Sequence, residues 1–229
     1  MEKNASKKFD FVSLITESFT FILACILKPI TAIKNKINEY ADVKSAGILV
    51  ILVALARMII VLLNAMISVI FVKERVSFLS TETKLKVSFE GLKNLDYFSL
   101  IVKQFIGFII VVAVVAGVYY VVSCVMKKTV NYFKLVSITT ISFIPMFIAG
   151  FISTIVAYIY IPLSVFIIFA SFVYSIITFI RCINDEIKFD DNNVMVYFQT
   201  ICLTVIVIIA YYALSNYVSS LLNLGSLLK

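Results

Sequence analysis

Arg57 is the residue of this chain whose type and position most strongly suggest chemistry. It is the only charged residue within five long apolar runs, and it lies near the middle of the first of them. An ionised side chain at the centre of a bilayer costs about 2.5 to 3.5 kcal/mol on insertion scales, so it marks a candidate functional site. Asn64 and Ser68 follow Arg57 at helical spacing and would extend one polar face of the same helix. Such a face could bind an anion or a lipid headgroup.

Arg57 also has a purely structural interpretation. Hydroxyl groups, backbone carbonyls or the carboxylate of Glu17, which precedes the first run, could hold its guanidinium. The side chain could also extend toward the membrane surface. Both interpretations stay open, and a pairing of Arg57 with Glu17 is a specific prediction of the structural one.

The residues that are missing argue against catalysis by this chain. There is no histidine, which removes the usual zinc-protease and Ser-His mechanisms. The last four apolar runs contain no Asp or Glu, which removes intramembrane carboxylate pairs and most proton relays. The four cysteines form no C-x-x-C pair, and the six glycines form no phosphate-binding loop. We therefore expect no enzymatic activity, no cofactor and no metal site.

The five apolar runs predict an all-α, polytopic transmembrane bundle. Each run is long enough to cross a hydrocarbon core of roughly 30 Å at ~1.5 Å per helical residue. Composition agrees, since 62% of the residues are hydrophobic and 14% are charged, where a soluble domain has about 25% charged residues. The predicted spans are residues 45–72, 105–126, 135–160, 161–180 and 200–222. Together they form one domain over 45–229, preceded by a segment over 1–44.

The third and fourth runs form one stretch without a charge that is about twice as long as a bilayer is thick. The chain must therefore turn back, and Pro162, which follows two tyrosines, predicts the start of a new helix there. Pro145 lies well inside the third run and predicts a kink, because its ring clashes with the carbonyl four residues earlier.

The segment before the first span is predicted to lie in the membrane interface. From Phe9 to Leu27 its polar residues follow one helical face, and its apolar residues follow the other. The apolar face holds Phe11, Leu14, Ile15, Phe19, Ile22 and Ile26. Lys28-Pro29 breaks this helix, and a second short amphipathic helix follows with Lys34 on its polar side. A signal peptide is disfavoured because Glu17 interrupts the apolar region.

Lysine and arginine counts predict the orientation of the bundle. With five spans and a cytoplasmic N-terminus, the cytoplasmic side holds 12 of these residues and the outer side holds 7. A sixth span over residues 9–27 would divide them 10 to 9, which is almost no bias. We therefore expect the N-terminus inside and the C-terminus outside. All four cysteines then face the reducing side, and no disulfide is expected.

Two loops are long enough to matter. Residues 73–99 mix basic, acidic and apolar side chains and predict short amphipathic pieces on the outer membrane surface. Residues 184–193 are acidic but lack the central glycine and the closing glutamate of a calcium loop, which favours a solvated turn.

The net charge of +7 points to lipid and not to nucleic acid. The lysines are spread over segments that flank the membrane and are not gathered on one folded face. The seven lysines before the first span predict attraction to anionic lipids of the cytoplasmic leaflet. A membrane-protein partner or a homo-oligomer is also compatible with these features.

Two short motifs carry a family resemblance. One is the break Lys28-Pro29-Ile30-Thr31 after a cytoplasmic amphipathic N-terminus, and the other is Ser142-Phe143-Ile144-Pro145 in the third helix. With these motifs, the chain resembles the bacterial branch of the Yip1-domain membrane proteins. The resemblance covers about Ser18 to Tyr217. It implies a five-helix, non-enzymatic integral protein of a bacterial plasma membrane with partners in the membrane, and it transfers no functional residue.

Two functions remain open from the sequence. The first is a Yip1-like scaffold that organises the membrane or recruits partners. The second is a small permease or transporter component that binds an anionic ligand or lipid headgroup near Arg57. The scaffold is favoured because a carrier would more often show repeats with interrupted helices in matching positions.

Overall fold

The computed structural model describes residues 11–75, 83–189 and 191–227, and within them it confirms five helices long and apolar enough to cross a membrane. The third of these spans consists of two consecutive helices. The helices are α1 (Phe11–Leu27), α2 (Pro29–Lys36), α3 (Val43–Ile70), α4 (Tyr97–Val125), α5 (Tyr132–Ser142), α6 (Ile144–Ala157), α7 (Ile161–Ile187) and α8 (Asn192–Leu227). Two 3-10 helices, Ile37–Tyr40 and Glu90–Asn94, and two strands complete the fold.

All five spans begin or end beyond the predicted runs, and α4, α7 and α8 do so by seven or eight residues. α4 begins at Tyr97 and not at residue 105, because Asp96 caps it by accepting a 3.0 Å hydrogen bond from the Ser99 amide. α7 continues to Ile187, and α8 begins at Asn192. An apolar run marks only the part of a helix inside the hydrocarbon, whereas the helix continues into the polar interface where charged residues are tolerated.

The predicted interruption of the third span is confirmed. α5 ends at Ser142 and α6 begins at Ile144, with Pro145 in its first turn. Proline has no amide hydrogen to donate, so the carbonyl of Ile141 instead accepts from the Phe143 amide. The predicted hairpin is also present, since the chain turns at Tyr158–Tyr160 and α7 packs along α6.

The N-terminal segment packs onto the bundle through a face that the sequence pattern did not identify. The buried side chains of α1 are Ser18, Phe21 and Cys25, and the Phe21 ring stacks on Tyr40 with centroids 4.7 Å apart. Phe19 and Ile26, from the predicted apolar face, are exposed and suit contact with lipid. The helix therefore has a protein-facing stripe beside its lipid-facing one. Phe9 and the side chains of Phe11 and Leu14 lie outside the described residues.

The loop after α3 contains a strand pair that the sequence pattern did not predict. β1 (Phe71–Arg75) pairs antiparallel with β2 (Thr83–Val87). β2 alternates lysine with leucine and valine, a period-2 pattern that favours a strand. The 3-10 helix Glu90–Asn94 then packs against the end of α3.

Most of the buried side chains lie toward one end of the bundle, which we call the lysine-bearing end. There α3, α5 and α8 begin and α4 and α7 end, close to Lys44, Lys128, Lys134 and Lys188. Side chains buried in this half include Leu49, Tyr119, Leu135, Ile183 and Phe198. α2 packs against α5 and α7 at this end, and α1 packs on α2, α3 and α6.

Candidate functional site

Arg57 lies between two aromatic rings at the middle of the bundle. Its guanidinium carbon is 5.4 Å from the centroid of the Phe108 ring on α4 and 5.2 Å from that of Phe147 on α6. The negative faces of both rings attract the cation, and the attraction is stronger where water is excluded. Two aromatic side chains thus replace the polar partners that the sequence suggested.

Arg57 does not pair with Glu17. Within the described residues, Arg57 has no ion pair and no hydrogen bond to an acceptor, and its guanidinium contacts the two rings. Glu17 lies on the exposed side of α1, where its carboxylate accepts a 3.0 Å hydrogen bond from Ser13 Oγ. The pairing fails because α1 turns Ser18, Phe21 and Cys25 toward the bundle. A guanidinium has five N–H donors, so Arg57 retains donors for a ligand or water.

Asn64 and Ser68 follow Arg57 along α3 but do not join it in one site. Seven residues of α-helix separate Arg57 from Asn64, a rise of about 10 Å. Ser68 is exposed, and its hydroxyl donates a 2.8 Å hydrogen bond to the backbone carbonyl of Asn64. The side-chain oxygen of Asn64 is buried and accepts no hydrogen bond within the described structure. The predicted polar face therefore exists as separate groups spread along one helix.

A second polar cluster, which sequence reasoning missed, lies at the lysine-bearing end. Lys34 of α2 forms a 3.2 Å ion pair with Asp185, and Lys134 of α5 forms a 2.8 Å ion pair with Glu186. A cavity of about 240 Å³ lies beside them, lined also by Asn38, Cys182 and isoleucines of α2 and α5. Both acids belong to the last turns of α7, so the prediction of a solvated turn is wrong for this part of residues 184–193. The sequence did hold a signal for this cluster, because two adjacent acidic residues have the opposite charge to the lysines of α2 and α5.

Hydrogen bonds to backbone carbonyls hold the N-terminal segment in place at the same end. Ser137 Oγ donates to the carbonyl of Tyr40 at 3.0 Å, and Asn131 Nδ2 donates to that of Ala41 at 2.9 Å. Asn131 also caps α5 by accepting a 2.8 Å bond from the Phe133 amide. Burial raises the pKa of the Tyr40 phenol above its ordinary value. This segment is therefore an integral part of the fold.

Asp42 fixes the start of α3. Its carboxylate accepts hydrogen bonds from the amides of Lys44 at 3.0 Å and Ser45 at 3.1 Å. Partial burial alone would raise the pKa of this carboxyl, but the hydrogen bonds from Ser45 and Lys44 outweigh it and hold the pKa below its ordinary value.

The thiols are free, and in the parts of the chain that the structure describes no group of three or more Cys, Asp or Glu residues is placed to hold a metal ion. Cys25, Cys182 and Cys202 are buried, and Cys124 is exposed. Burial raises the pKa of the Cys25 thiol to about 12, which leaves it protonated and unreactive at neutral pH.

Comparison with known proteins identifies a family that this chain matches. A family model described as the Yip1 domain matches residues 23–219, which is most of the chain. No curated protein and no solved structure matches this chain. The matched region begins inside α1, so it includes α2 and all five spanning helices.

Proposed function

This chain belongs to the Yip1 domain family and is an integral membrane protein, and from that premise we propose that it is a non-enzymatic scaffold that recruits protein partners at the membrane. We also propose a bacterial plasma membrane as its location, with the N-terminus cytoplasmic and the C-terminus outside. The lysine-bearing end then faces the cytoplasm and its anionic lipids, in agreement with the excess of basic residues on that side.

The observation that carries the proposal is the outer face of the segment formed by α2 and the following 3-10 helix. Its buried side, including Ile33 and Ile37, packs on the bundle, and its exposed side presents Lys34, Asn35 and Asn38. This polar face is held in place by the Lys34–Asp185 ion pair and by the bonds to the carbonyls of Tyr40 and Ala41. A preordered surface loses little conformational entropy on binding, which suits partner recruitment.

Site-specific photo-crosslinking in cells tests this role. A photoreactive residue replaces Asn35 in one variant and Ile159, which is 84% exposed at the opposite end of the bundle, in a matched control. We expect the same membrane-protein adduct from Asn35 in repeated experiments and its loss when Asn38→Trp is added. Failure of position 35 to form a protein adduct, or an equal adduct from position 159, would contradict recruitment by this face.

A permease that binds an anionic ligand is the second candidate, and the environment of Arg57 favours it. The guanidinium has aromatic partners but no anionic one in the described structure, so a bound anion would neutralise its charge in a medium of low dielectric constant. The positions of Asn64 and Ser68 argue against a permease, because their side chains do not form one site with Arg57.

Thiol labelling separates the two candidates. Cysteine is introduced at Val61, Asn64 and Ser68 on the polar face of α3, and at Ile59 and Leu63 on its lipid-facing side as controls. A transport pathway predicts labelling of the first set by a water-soluble reagent. A scaffold alone predicts that both sets stay unlabelled in the membrane.

A further inference from the structure

One side of α8 exposes a row of side chains that carry hydroxyl groups. Tyr197 and Tyr211 are 68% and 67% exposed, and Thr204 between them is exposed as well. At about 100° per residue these three positions lie within about 40° of one another around the helix. Thr200 lies at the edge of the row, but its hydroxyl already donates a 2.8 Å hydrogen bond to the carbonyl of Val196. We call the surface of Tyr197, Thr204 and Tyr211 the hydroxyl stripe.

The hydroxyl stripe points away from the rest of the bundle. The buried side of α8 is formed by Phe198, Gln199 and Cys202, which lie on the opposite side of the helix. α8 packs mainly on α4, and within the described structure no other helix covers the stripe. Hydroxyl side chains of membrane bundles usually face neighbouring helices, where they form hydrogen bonds between helices. The stripe therefore has the chemistry of a helix contact on the outer surface of a single chain.

The depth of Tyr211 makes contact with lipid alone unfavourable. This residue is the middle one of the predicted fifth span, 200–222. Tyrosine favours the headgroup level of a membrane, because its hydroxyl can reach water there. A phenol reaches little farther than one helical turn, so from the middle of a span it cannot extend to either surface. The exposed side of α3 differs, since it carries the apolar side chains Leu55, Ile59 and Leu63.

The chemistry of the stripe matches a second copy of the same surface. A hydroxyl group both donates and accepts hydrogen bonds, so a row of hydroxyls is complementary to itself. The stripe carries no charge that would select an oppositely charged partner. The exposed residues Ile201, Val207 and Ile208 flank it, and like Thr204 they are β-branched and stiff. They lose little rotamer freedom when another helix packs on them.

We propose that this chain forms a parallel homodimer in which the hydroxyl stripes of two α8 helices face each other. Two copies inserted in the same orientation bring the same face of α8 together across a twofold axis along the membrane normal. The contact runs from Tyr197 to Tyr211, about 21 Å along the helix. Thr204 lies at its midpoint, where a small side chain allows the two backbones to approach closely. The proposed partner-binding face of α2 is a different surface, and neither proposal depends on the other.

Disulfide crosslinking in native membranes tests the dimer. The background is Cys124→Ala, which removes the exposed thiol and leaves the buried ones. Thr204→Cys is compared with Leu203→Cys, which is exposed at nearly the same depth but about 100° away around α8. Two cysteines form a disulfide only when their Cα atoms lie within about 7 Å. A membrane-permeable oxidant should therefore link Thr204→Cys into a dimer and leave Leu203→Cys and the background monomeric.

Three results of the crosslinking would overturn the proposal. The first is no dimer from Thr204→Cys, which would leave lipid as the neighbour of the stripe. The second is equal crosslinking from Leu203→Cys, which would indicate random collision. The third is an adduct of Thr204→Cys with a different protein in place of the dimer.

Removal of the hydroxyls tests their contribution to the contact. Thr204→Val with Tyr211→Phe keeps the shape of the stripe and removes two hydroxyls from each copy. One hydrogen bond between helices in a membrane is worth about threefold in affinity, so this double variant should raise the dimer Kd by about tenfold. Tyr174→Phe is the control, because Tyr174 is exposed on α7 and lies outside the stripe.

Counting of photobleaching steps measures the dimer fraction. The protein is labelled at the exposed Cys124 and reconstituted in liposomes of phosphatidylglycerol and phosphatidylcholine at increasing dilution in lipid. We expect wild type and Tyr174→Phe to dimerise with the same Kd. A wild type that is monomeric at every dilution would overturn the dimer. An unchanged Kd in the double variant, or an equal loss in Tyr174→Phe, would overturn the assignment of the contact to the hydroxyl stripe.

Discussion

The hydroxyl of Tyr119 donates a 2.7 Å hydrogen bond to Oε1 of Gln199, which lies 80 residues further along the chain. The amide nitrogen of Gln199 donates in turn to Oδ1 of Asn184 at 2.6 Å. The two bonds join α4, α8 and α7 through the buried side chains of Tyr119 and Gln199 and the partly buried side chain of Asn184. Because α8 otherwise packs mainly through Phe198 and Cys202, this network fixes where the last helix docks.

Gln199→Leu should lower the free energy of unfolding by about 1 to 2 kcal/mol, because it leaves the Tyr119 hydroxyl and the Asn184 side chain without their partners. Unfolding by a denaturing detergent in mixed micelles measures the change. Thr200→Val is the matched control, since its exposed hydroxyl bonds only within α8. If both variants unfold like the wild type, the network does not stabilise the docking of α8.

The two ion pairs at the lysine-bearing end should differ in their contribution to stability. The Lys134 and Glu186 side chains are 19% and 20% exposed, whereas those of Lys34 and Asp185 are 66% and 43% exposed. Glu186→Gln should therefore cost about 2 to 3 kcal/mol, because it leaves a largely buried ammonium without its counter-charge. Asp185→Asn should cost under about 1 kcal/mol, and high salt should abolish that effect.

Detergent-induced unfolding at low and high salt measures both pairs. The exchanged variant Lys134→Glu with Glu186→Lys should recover part of the loss, since it restores opposite charges at the same two positions. Equal effects of Glu186→Gln and Asp185→Asn would show that burial does not decide the strength of these pairs.

The five spans were predictable because a membrane imposes one length and one kind of surface on every helix that crosses it. The breaks at Pro29, Pro145 and Pro162 were predictable for a local reason, since proline disrupts the helix wherever it stands. The β1–β2 pair was not recognised because Phe71 and Val72 belong to the first apolar run, which the sequence pattern assigns to a single helix.

The surroundings of Arg57 could not be predicted in the same way. Phe108 and Phe147 come from two other helices, and among 20 phenylalanines nothing local distinguishes them. The protein-facing stripe of α1 was missed for a related reason. Ser18 and Cys25 are compatible with either face of an amphipathic helix, and the buried face depends on contacts with Tyr40 and with α2, α3 and α6 that are distant in sequence or set by the fold.

Asp42 should make the stability of α3 depend on pH. Because the pKa of its carboxyl is lower in the folded protein, the stabilisation is complete above the ordinary aspartate pKa of about 3.9. The stabilisation is lost as the pH falls through the lowered pKa, since protonation removes the negative charge of the carboxylate that accepts hydrogen bonds from the Lys44 and Ser45 amides.

Asp42→Asn keeps an N-cap but cannot titrate, so the difference in unfolding midpoint between wild type and this variant should shrink below pH 4 and stay constant near neutral pH. Asp42→Ala should lose about 1 kcal/mol at neutral pH. A constant difference between wild type and Asp42→Asn down to the acid limit would contradict the role of the charge.

Gly91 should tolerate no side chain while Val69 is present. A Cβ atom at position 91 would overlap Cγ1 of Val69, where the 3-10 helix Glu90–Asn94 meets the end of α3. Valine is stiff at χ1 and cannot easily turn away. Gly91→Ala should therefore lower the unfolding midpoint, and Val69→Ala added to it should restore most of the loss. If the single variant loses no stability, or if the double variant recovers none, then Val69 does not restrict the side chain at position 91.

Cys124 should be the cysteine that reacts with maleimide in the folded protein. It is exposed one turn before Lys127, whereas Cys25, Cys182 and Cys202 are buried, and burial raises the pKa of Cys25 to about 12. With the proposed orientation, an impermeant maleimide should label Cys124 in inverted membrane vesicles and not in intact cells. A Phe89→Cys variant on a Cys124→Ala background should show the reverse, since Phe89 is exposed beyond the opposite end of α3. The reverse result at both positions would show the opposite membrane orientation, with the lysine-bearing end outside, and would contradict the charge bias on which the proposed orientation rests.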